Sequence, residues 1–547
     1  MSGLSEAFER VGAFLEHRLP HMHAAGASLA VTDGDAILGV VIRGFADATS
    51  STAVRPETRF EIGSISKSFT AILALQEAEA GRLDLHAPVR ELLPWIDLRE
   101  PFGTITLHHL LTHSSGLPMG TEAFADDRFS AWTLRLLEPG FPPGTRFHYS
   151  NDAYKVAGLI VERAAGASLP ELLRRRIFAP LGMKATEGAI TNETRTDLAT
   201  GYQTLYDDRP PQERHPLVPA PWINSASGDG SIVSTAVDMA AYARMLLSRG
   251  ESPAGRLISE ESFELLTSRF VEDEDENEWH YGYGLMVGEP GGRPRWKHSG
   301  GMVGFTAQMT VDVESGLGVV MLLNGSGDRA STVDFAIDAV GAALGGRPLP
   351  EVGPEPDPAL TPNAPDYEGI YRGGPRTIEL AADAGRLRLR ERAAGTDVVL
   401  SREEDVADAF LVPDPAWDRF RFRFGRDADG RVAEAFHGDA WFVGEGRATS
   451  DPGPPDPPEK WASFVGHYRT YNPWMPSFRV VLRKGRLVLT APWEDEADPE
   501  LVPLPDGSFR VGGEEWRPDR IRFDTVVEGA ALRAVYNEAA WYRSFTP

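Results

Sequence analysis

The chain has 547 residues, too many for one hydrophobic core, and ordinary domain sizes divide it into two to four parts. Its 55 basic against 80 acidic side chains leave a formal charge of -25, which argues against nucleic-acid or membrane partners, and no apolar run approaches the roughly 18 to 20 residues of a membrane span. With no cysteine, disulfides, thiolate metal sites and a cysteine nucleophile are excluded. The segment Met1 to Ala27 lacks a secretory pattern, and its Phe8, Val11, Phe14 and Leu15 share one face of an amphipathic helix, so a soluble protein in the cytoplasm is expected.

Next comes a hairpin, Ser28 to Thr32 and Ile37 to Ile42, turned by Asp33-Gly34-Asp35. A helix from about Ser64 presents Phe69, Ile72 and Leu73 on one face and stops at Gly81. Another starts near Val237, with Ser234 or Thr235 as its cap, Met239, Tyr242 and Leu246 on one face, and Gly250 at its end. The acidic run Glu272 to Glu276 reads as a solvated loop. Thr306 to Val311 and Gly318 to Leu323 pair through Glu314-Ser315-Gly316, and a helix from Val333 to Leu344 follows. Strands at both ends with helices between them predict an α+β domain, an antiparallel sheet packed with helices.

Pro348 to Pro365 and Ser450 to Pro458 read as stiff linkers. The pieces they delimit repeat each other about one hundred residues apart: Tyr367 to Arg372 matches Phe464 to Arg469, Gly385 to Leu389 matches Gly485 to Leu489, and Trp441-Phe442 matches Trp541-Tyr542. Each copy is a run of short alternating strands, for which a small antiparallel barrel is the natural closure. The second copy carries an insertion, Thr470 to Ser477, where the first has only Gly373-Gly374-Pro375. The expected domains are 1–346, 365–447 and 460–547.

Acyl transfer by serine needs a nucleophile, a base and donors for the oxyanion. Ser64-Ile65-Ser66-Lys67 places a serine and a lysine three apart, on one helix face, directly after Gly63. Of the six lysines, Lys67 alone has a serine three residues before it. Tyr149 and Asn151, two apart after a Pro143-Gly144 turn, can face one cavity, the tyrosine to relay a proton and the asparagine to bind a carbonyl; a buried tyrosine beside a capping residue is the plainer alternative. Trp296 to Gly301, immediately before a strand, carries His298 and the glycines Gly300 and Gly301, which let backbone approach a ligand.

These three segments, in this order, together with Leu110 to Pro118, resemble the penicillin-recognising serine hydrolases: class C β-lactamases, D-aminopeptidases, related esterases and penicillin-binding proteins. The resemblance spans about Ser5 to Leu344. It implies a β-lactamase/transpeptidase-like fold without a cofactor or metal, in which Ser64 is the nucleophile, Lys67 its base partner and Tyr149 the second acid/base group. Asn151 would orient the substrate, and the backbone N–H groups of Ser64 and Gly301 would form the oxyanion hole. His298 departs from the Lys-Thr-Gly triad of β-lactamases and matches the His-x-Gly variant of D-aminopeptidases and several esterases, which puts efficient β-lactam turnover in doubt.

D-aminopeptidases also carry two C-terminal barrels, here expected to be lipocalin-like, with a loop from the last barrel at the active site. The insertion Thr470 to Ser477, with Trp474, is the candidate for that loop, and Asp229 is a candidate carboxylate for a substrate amine. The expected activity is an aminopeptidase or amidase on short, D-residue-bearing peptides. A carboxylesterase or weak β-lactam hydrolase is the alternative among enzymes, and a non-catalytic ligand-binding protein is the alternative from another class. The expected partner is a small peptide, amide or ester substrate, with a homodimer left open.

Overall fold

A computed structural model describes residues 2–544 except 125, 277, 404–405, 450, 452, 455 and 493–497, so part of the Ser450 to Pro458 linker lies outside the described residues. The chain divides into two units, one made of residues 1–203 and 217–355, the other of residues 204–216 and 356–547.

The first unit is built on a nine-stranded sheet. Its central strands are β1 (His23–Thr32), β2 (Ile37–Asp47), β3 (Arg295–Met302), β4 (Phe305–Asp312) and β5 (Leu317–Ser326), in the order β3-β4-β5-β1-β2 and all antiparallel. Both faces are covered, which is why β5 reads as an unbroken apolar run and not as an alternation. Leu317, Val319, Met321 and Leu323 pack with Val11 and Leu15 of helix α1 (Ser2–Arg18) and with Val333, Ile337 and Val340 of the helix Ala330–Leu344. Phe14 and Phe335 stack between those two helices, ring centroids 4.1 Å apart. On the opposite face, a side chain at Gly318 would stand 2.9 Å from Ala243, so the helix Ala236–Leu247 lies close against β5 there.

The reading of Trp296 to Gly301 as a segment preceding a strand needs correction. Arg295–Met302 is itself a strand, paired with β4 from Arg295↔Asp312 to Met302↔Phe305. Its glycines hid it, because their role is close approach to other backbone and not strand propensity. The helix expected from Ser64 is likewise divided: Gly63–Ile65 forms a 3-10 turn, and α2 runs from Ser66 to Glu79.

The second unit holds two antiparallel sheets of nine and eight strands. In the first, the edge strands Thr396–Val399 and Ser401–Arg402 are neighbours in sequence, so the sheet curls until its edges nearly meet. In the second, the edge strands Arg486–Thr490 and Leu501–Pro503 approach through a bridge from Val488 to Glu500. Both are nearly closed barrels. The repeat seen in the sequence recurs in three dimensions: the Tyr371 hydroxyl donates to the Tyr367 carbonyl and the Tyr468 hydroxyl to the Phe464 carbonyl, each at 2.8 Å. Arg447 and Arg543 then donate to those same hydroxyls, at 2.7 and 3.3 Å. The segment 204–216 knits the two barrels of this unit together. Arg209 and Arg214 pair with Asp418 of the first barrel at 2.9 and 2.6 Å, while Asp207 and Asp208 pair with Arg469 and Arg479 of the second at 2.5 and 3.0 Å. Among the described residues no helix is long and apolar enough to cross a membrane.

Candidate active site

The site forms where the Gly63–Ile65 turn meets β3. Gly63 has φ +53°, and a Cβ there would lie 2.6 Å from the backbone N and O of Gly301. A Cβ on Gly300 would lie 1.9 Å from the Ile62 carbonyl oxygen. Only glycine allows these backbones to touch, which sets the turn bearing Ser64 directly against the backbone of Gly300 and Gly301. Space is open beside Gly301, where no atom lies within 4 Å of its would-be Cβ. The strand Met286–Gly288 pairs with β3 over Arg295 to Lys297, so among the described residues it leaves the His298 to Met302 edge to the Gly63–Ile65 turn.

Helix α2 is buried continuously from Ser66 to Leu75, held in part by its own hydroxyls. Ser66 accepts from the Ile232 N–H at 3.2 Å, Ser68 from the Tyr242 hydroxyl at 2.7 Å, and Thr70 donates to the Gly228 carbonyl at 2.7 Å. Lys67 is 0% exposed, whereas Ser64 reaches the surface of the cleft. The Lys67 ammonium donates to Ser64 Oγ at 2.9 Å, to Asn151 Oδ1 at 2.8 Å and to the carbonyl of Asp229 at 2.9 Å. An ammonium has three N–H donors, and all three are used. A neutral amine would keep two of these bonds and present its lone pair to Ser64.

Asn151 opens the helix α3 (Asn151–Ala165), whose cap Ser150 accepts from the Ala153 N–H at 3.2 Å. Tyr149 stands just before that cap, with its ring centroid 4.9 Å from Lys67 Nζ. The segment Leu110 to Pro118 supports this loop: the Gly144 N–H donates to the Ser114 carbonyl at 2.8 Å, and Ser150 Oγ to the Pro118 carbonyl at 2.6 Å.

His298 faces inward. Its Nδ1 lies 2.6 Å from the Ser299 carbonyl, which can only accept, so Nδ1 carries the proton and Nε2 accepts from the Tyr281 hydroxyl at 2.8 Å. Both ring nitrogens are thus engaged within the protein. Burial, then the charge of Lys67, push its pKa down to about 3, so the ring is neutral. Tyr281 was missed in the sequence, although the alternation Tyr281-Gly282-Tyr283-Gly284 marks an unusual strand end.

Asp229 touches Lys67 through its backbone rather than its carboxylate. That carboxylate bonds Ser227, whose hydroxyl is also 2.8 Å from Asp127. Burial, then the charge of Asp229, raise Asp127 to about 7. Behind them Lys155 pairs with Glu122 at 2.8 Å and Asp152 at 3.4 Å. Burial opposes the Lys155 charge, but Glu122, Asp152 and Asp229 outweigh it and hold the ammonium well above the ordinary lysine range. Trp474 belongs to the second unit, in the turn before the strand Ser477–Arg483, where its N–H donates to Asn472 at 3.1 Å. Among the described residues no group of three or more His, Cys, Asp or Glu side chains is arranged to hold a metal ion.

An antiparallel sheet covered by helices, with two nearly closed barrels after it, is a β-lactamase/transpeptidase-like fold. The chain belongs to the Beta-lactamase family, whose profile matches residues 12–343. Penicillin-binding protein 4 of Amycolatopsis lactamdurans is 30% identical over 365 residues, covering 63% of this chain and 93% of that protein. A D-aminopeptidase of Brucella suis is 28% identical over 363 residues, covering 62% of this chain and 64% of the relative, just under two thirds of its length. Among solved structures, the octameric penicillin-binding protein homologue from Pyrococcus abyssi superposes with a TM-score of 0.58 at 26% identity, covering 80% of this chain and 99% of that one.

Proposed function

We propose that the protein is a serine hydrolase that works through a Ser64 acyl-enzyme, as an aminopeptidase or amidase on short peptides with a D-residue on the N-terminal side of the scissile bond. The observation that carries this reading is the buried Lys67, set 2.9 Å from Ser64 Oγ with only neutral acceptors around its ammonium. In its neutral form Lys67 takes the Ser64 proton as Oγ attacks the substrate carbonyl carbon. The amides of Ser64 and Gly301 hold the oxyanion, and Tyr149 delivers a proton to the departing amine. Water then cleaves the acyl ester and restores the serine.

The charges around the site support the choice of substrate. His298 is neutral and supplies no cation for a substrate carboxylate, which favours a substrate whose charged end is its amine. The Brucella D-aminopeptidase supports the D-residue.

A fluorophosphonate probe tests the nucleophile: one adduct on Ser64, absent in Ser64→Ala, is expected. Unlabelled folded protein that still binds ligand overturns the enzyme reading. A panel of D-amino acid p-nitroanilides, their N-acetylated forms, p-nitrophenyl esters and nitrocefin tests the substrate. Faster turnover of the free amines is expected, and ester cleavage without amide cleavage overturns the peptidase reading in favour of a carboxylesterase.

A further inference from the structure

Tyr149 lies between two residues that are both held by one other. His113 is 0% exposed and has φ +54°, a left-handed conformation uncommon for a residue other than glycine. Its Nδ1 accepts from the Ser150 N–H at 3.0 Å, and its backbone carbonyl accepts from the His148 N–H at 2.8 Å. The residues on either side of Tyr149 are therefore tied to the same point. The His113 ring also packs against the Tyr149 ring, centroids 4.2 Å apart, and is backed by Tyr281 at 4.6 Å and Tyr154 at 5.0 Å.

This arrangement is costly. Because Nδ1 accepts, the proton sits on Nε2, which is buried without a hydrogen-bond partner among the described residues. An orphaned buried donor is unfavourable, and a left-handed backbone adds to the cost. If packing were the only task, an apolar side chain would serve better. The ring does not carry a proton for the reaction, since burial and then the charge of Lys67 hold its pKa well below the ordinary range. Replacing the His113 side chain removes the Nδ1 bond and the ring contact, while the backbone bond from His148 and those to Ser114 and Pro118 keep the loop in place.

We propose that His113 is a positioning residue, a three-point clamp that aims the Tyr149 hydroxyl at the leaving group through the Ser150 amide, the His148 amide and the ring contact. The proposal rests on the reading of Tyr149 as the acid that protonates the leaving group.

The test compares two butyrate esters that share an acyl group. Phenyl butyrate loses a basic leaving group that benefits from a proton, whereas p-nitrophenyl butyrate releases a stable anion. Tyr149→Phe and His113→Leu are each expected to lower kcat/KM on the phenyl ester by about 10²-fold, the lower end for general acid catalysis, and on the p-nitrophenyl ester by less than about 5-fold. The double variant should be no slower than Tyr149→Phe alone. His113→Asn keeps an acceptor where Nδ1 stands and tolerates the backbone conformation, so it should recover about tenfold of the loss.

Equal losses on both esters in His113→Leu, or losses that multiply in the double variant, overturn the clamp. If His113→Leu does not fold, His113→Asn alone and combined with Tyr149→Phe completes the same cycle, and multiplied losses there overturn it as well. The two readings fail separately. Unchanged phenyl ester turnover in Tyr149→Phe removes the acid assignment and the clamp with it, whereas a loss in Tyr149→Phe beside an unchanged His113→Leu removes the clamp alone.

Discussion

Two lysines on adjoining helices of the first unit are both buried, and their surroundings make them opposite in kind. Lys67 meets a hydroxyl, an amide oxygen and a backbone carbonyl, all neutral. Lys155, 3% exposed at its side chain, meets the carboxylates of Glu122 and Asp152. Releasing a proton from Lys155 would strand buried carboxylates, so it is held as a cation that ties the loop bearing Glu122 to α3. No ion pair depends on Lys67 among these partners. The two lysines differ in the charge of their partners and not in the depth of burial, and the proposed mechanism uses that difference.

The largest expected effect breaks the first half of this comparison. Lys67→Ala should lower kcat/KM by about 10³-fold, within the range for removing a general base, while the variant keeps its fold in circular dichroism. Lys155→Met should do the reverse. Removing one partner of a buried pair costs about 3 to 5 kcal/mol, so a clear fall in the denaturant midpoint is expected, with activity per folded molecule retained. If Lys155→Met instead loses activity at full stability, the distinction between the two lysines is wrong.

A third test sharpens the account of Lys67. Burial, then the Lys67 charge, hold His298 at about 3, so Lys67→Met should let its imidazole titrate at higher pH, followed by NMR of labelled histidine. The same shift bears on stability. The folded pKa of about 3 lies below the ordinary 6.5, so the unfolded chain binds a proton that the folded chain refuses. This contribution is complete above pH 6.5 and is lost as the pH falls from 6.5 toward 3. Chemical denaturation at pH 7 and pH 5 should show it, with His108, lowered to about 4 by burial and its neighbours His109 and His86, acting in the same direction.

A shift of the opposite sign concerns Glu61, buried three residues before Ser64 and raised by burial from 4.5 to about 8. With the folded pKa raised, its contribution is complete below 4.5 and lost as the pH rises through 8. Glu61→Gln should therefore gain stability relative to the native protein as the pH rises from about 6 to 9, read from paired denaturation curves.

Much of the Lys67 neighbourhood was legible in the sequence, and almost none of the Lys155 neighbourhood was. Ser64 and Lys67 are local, three apart on a helix that signals itself by its apolar face and its closing glycine. Tyr149 and His298 stood in short motifs whose order carried a family resemblance. By contrast Lys155 and Glu122 are 33 positions apart, and Glu122 lies in an irregular loop at φ +51°, where no periodicity marks it. The contact from Asp229 to Lys67 is made by a backbone carbonyl, a group that every residue has and that no residue type announces. The inward turn of His298 depended on Tyr281, whose hydroxyl finds it across a sheet. The grouping of residues 204–216 with the barrels was also invisible, because its salt bridges span more than 200 positions.

The paired tyrosine-arginine clasps of the barrels carry a consequence for how the chain acquires its topology. Each arginine reaches back to its tyrosine across nearly the same stretch, 76 residues in the first copy and 75 in the second, so the entropy of closing the two loops is almost equal. The competitor is the cross-closure of Arg447 onto Tyr468, whose loop is much shorter than that of either native clasp, so during refolding it is entropically the easier one to form. Tandem repeats with matching ends are prone to such cross-closure. Synthesis from the N-terminus favours the native pairing, because Tyr371 and Arg447 are both available before Tyr468 emerges.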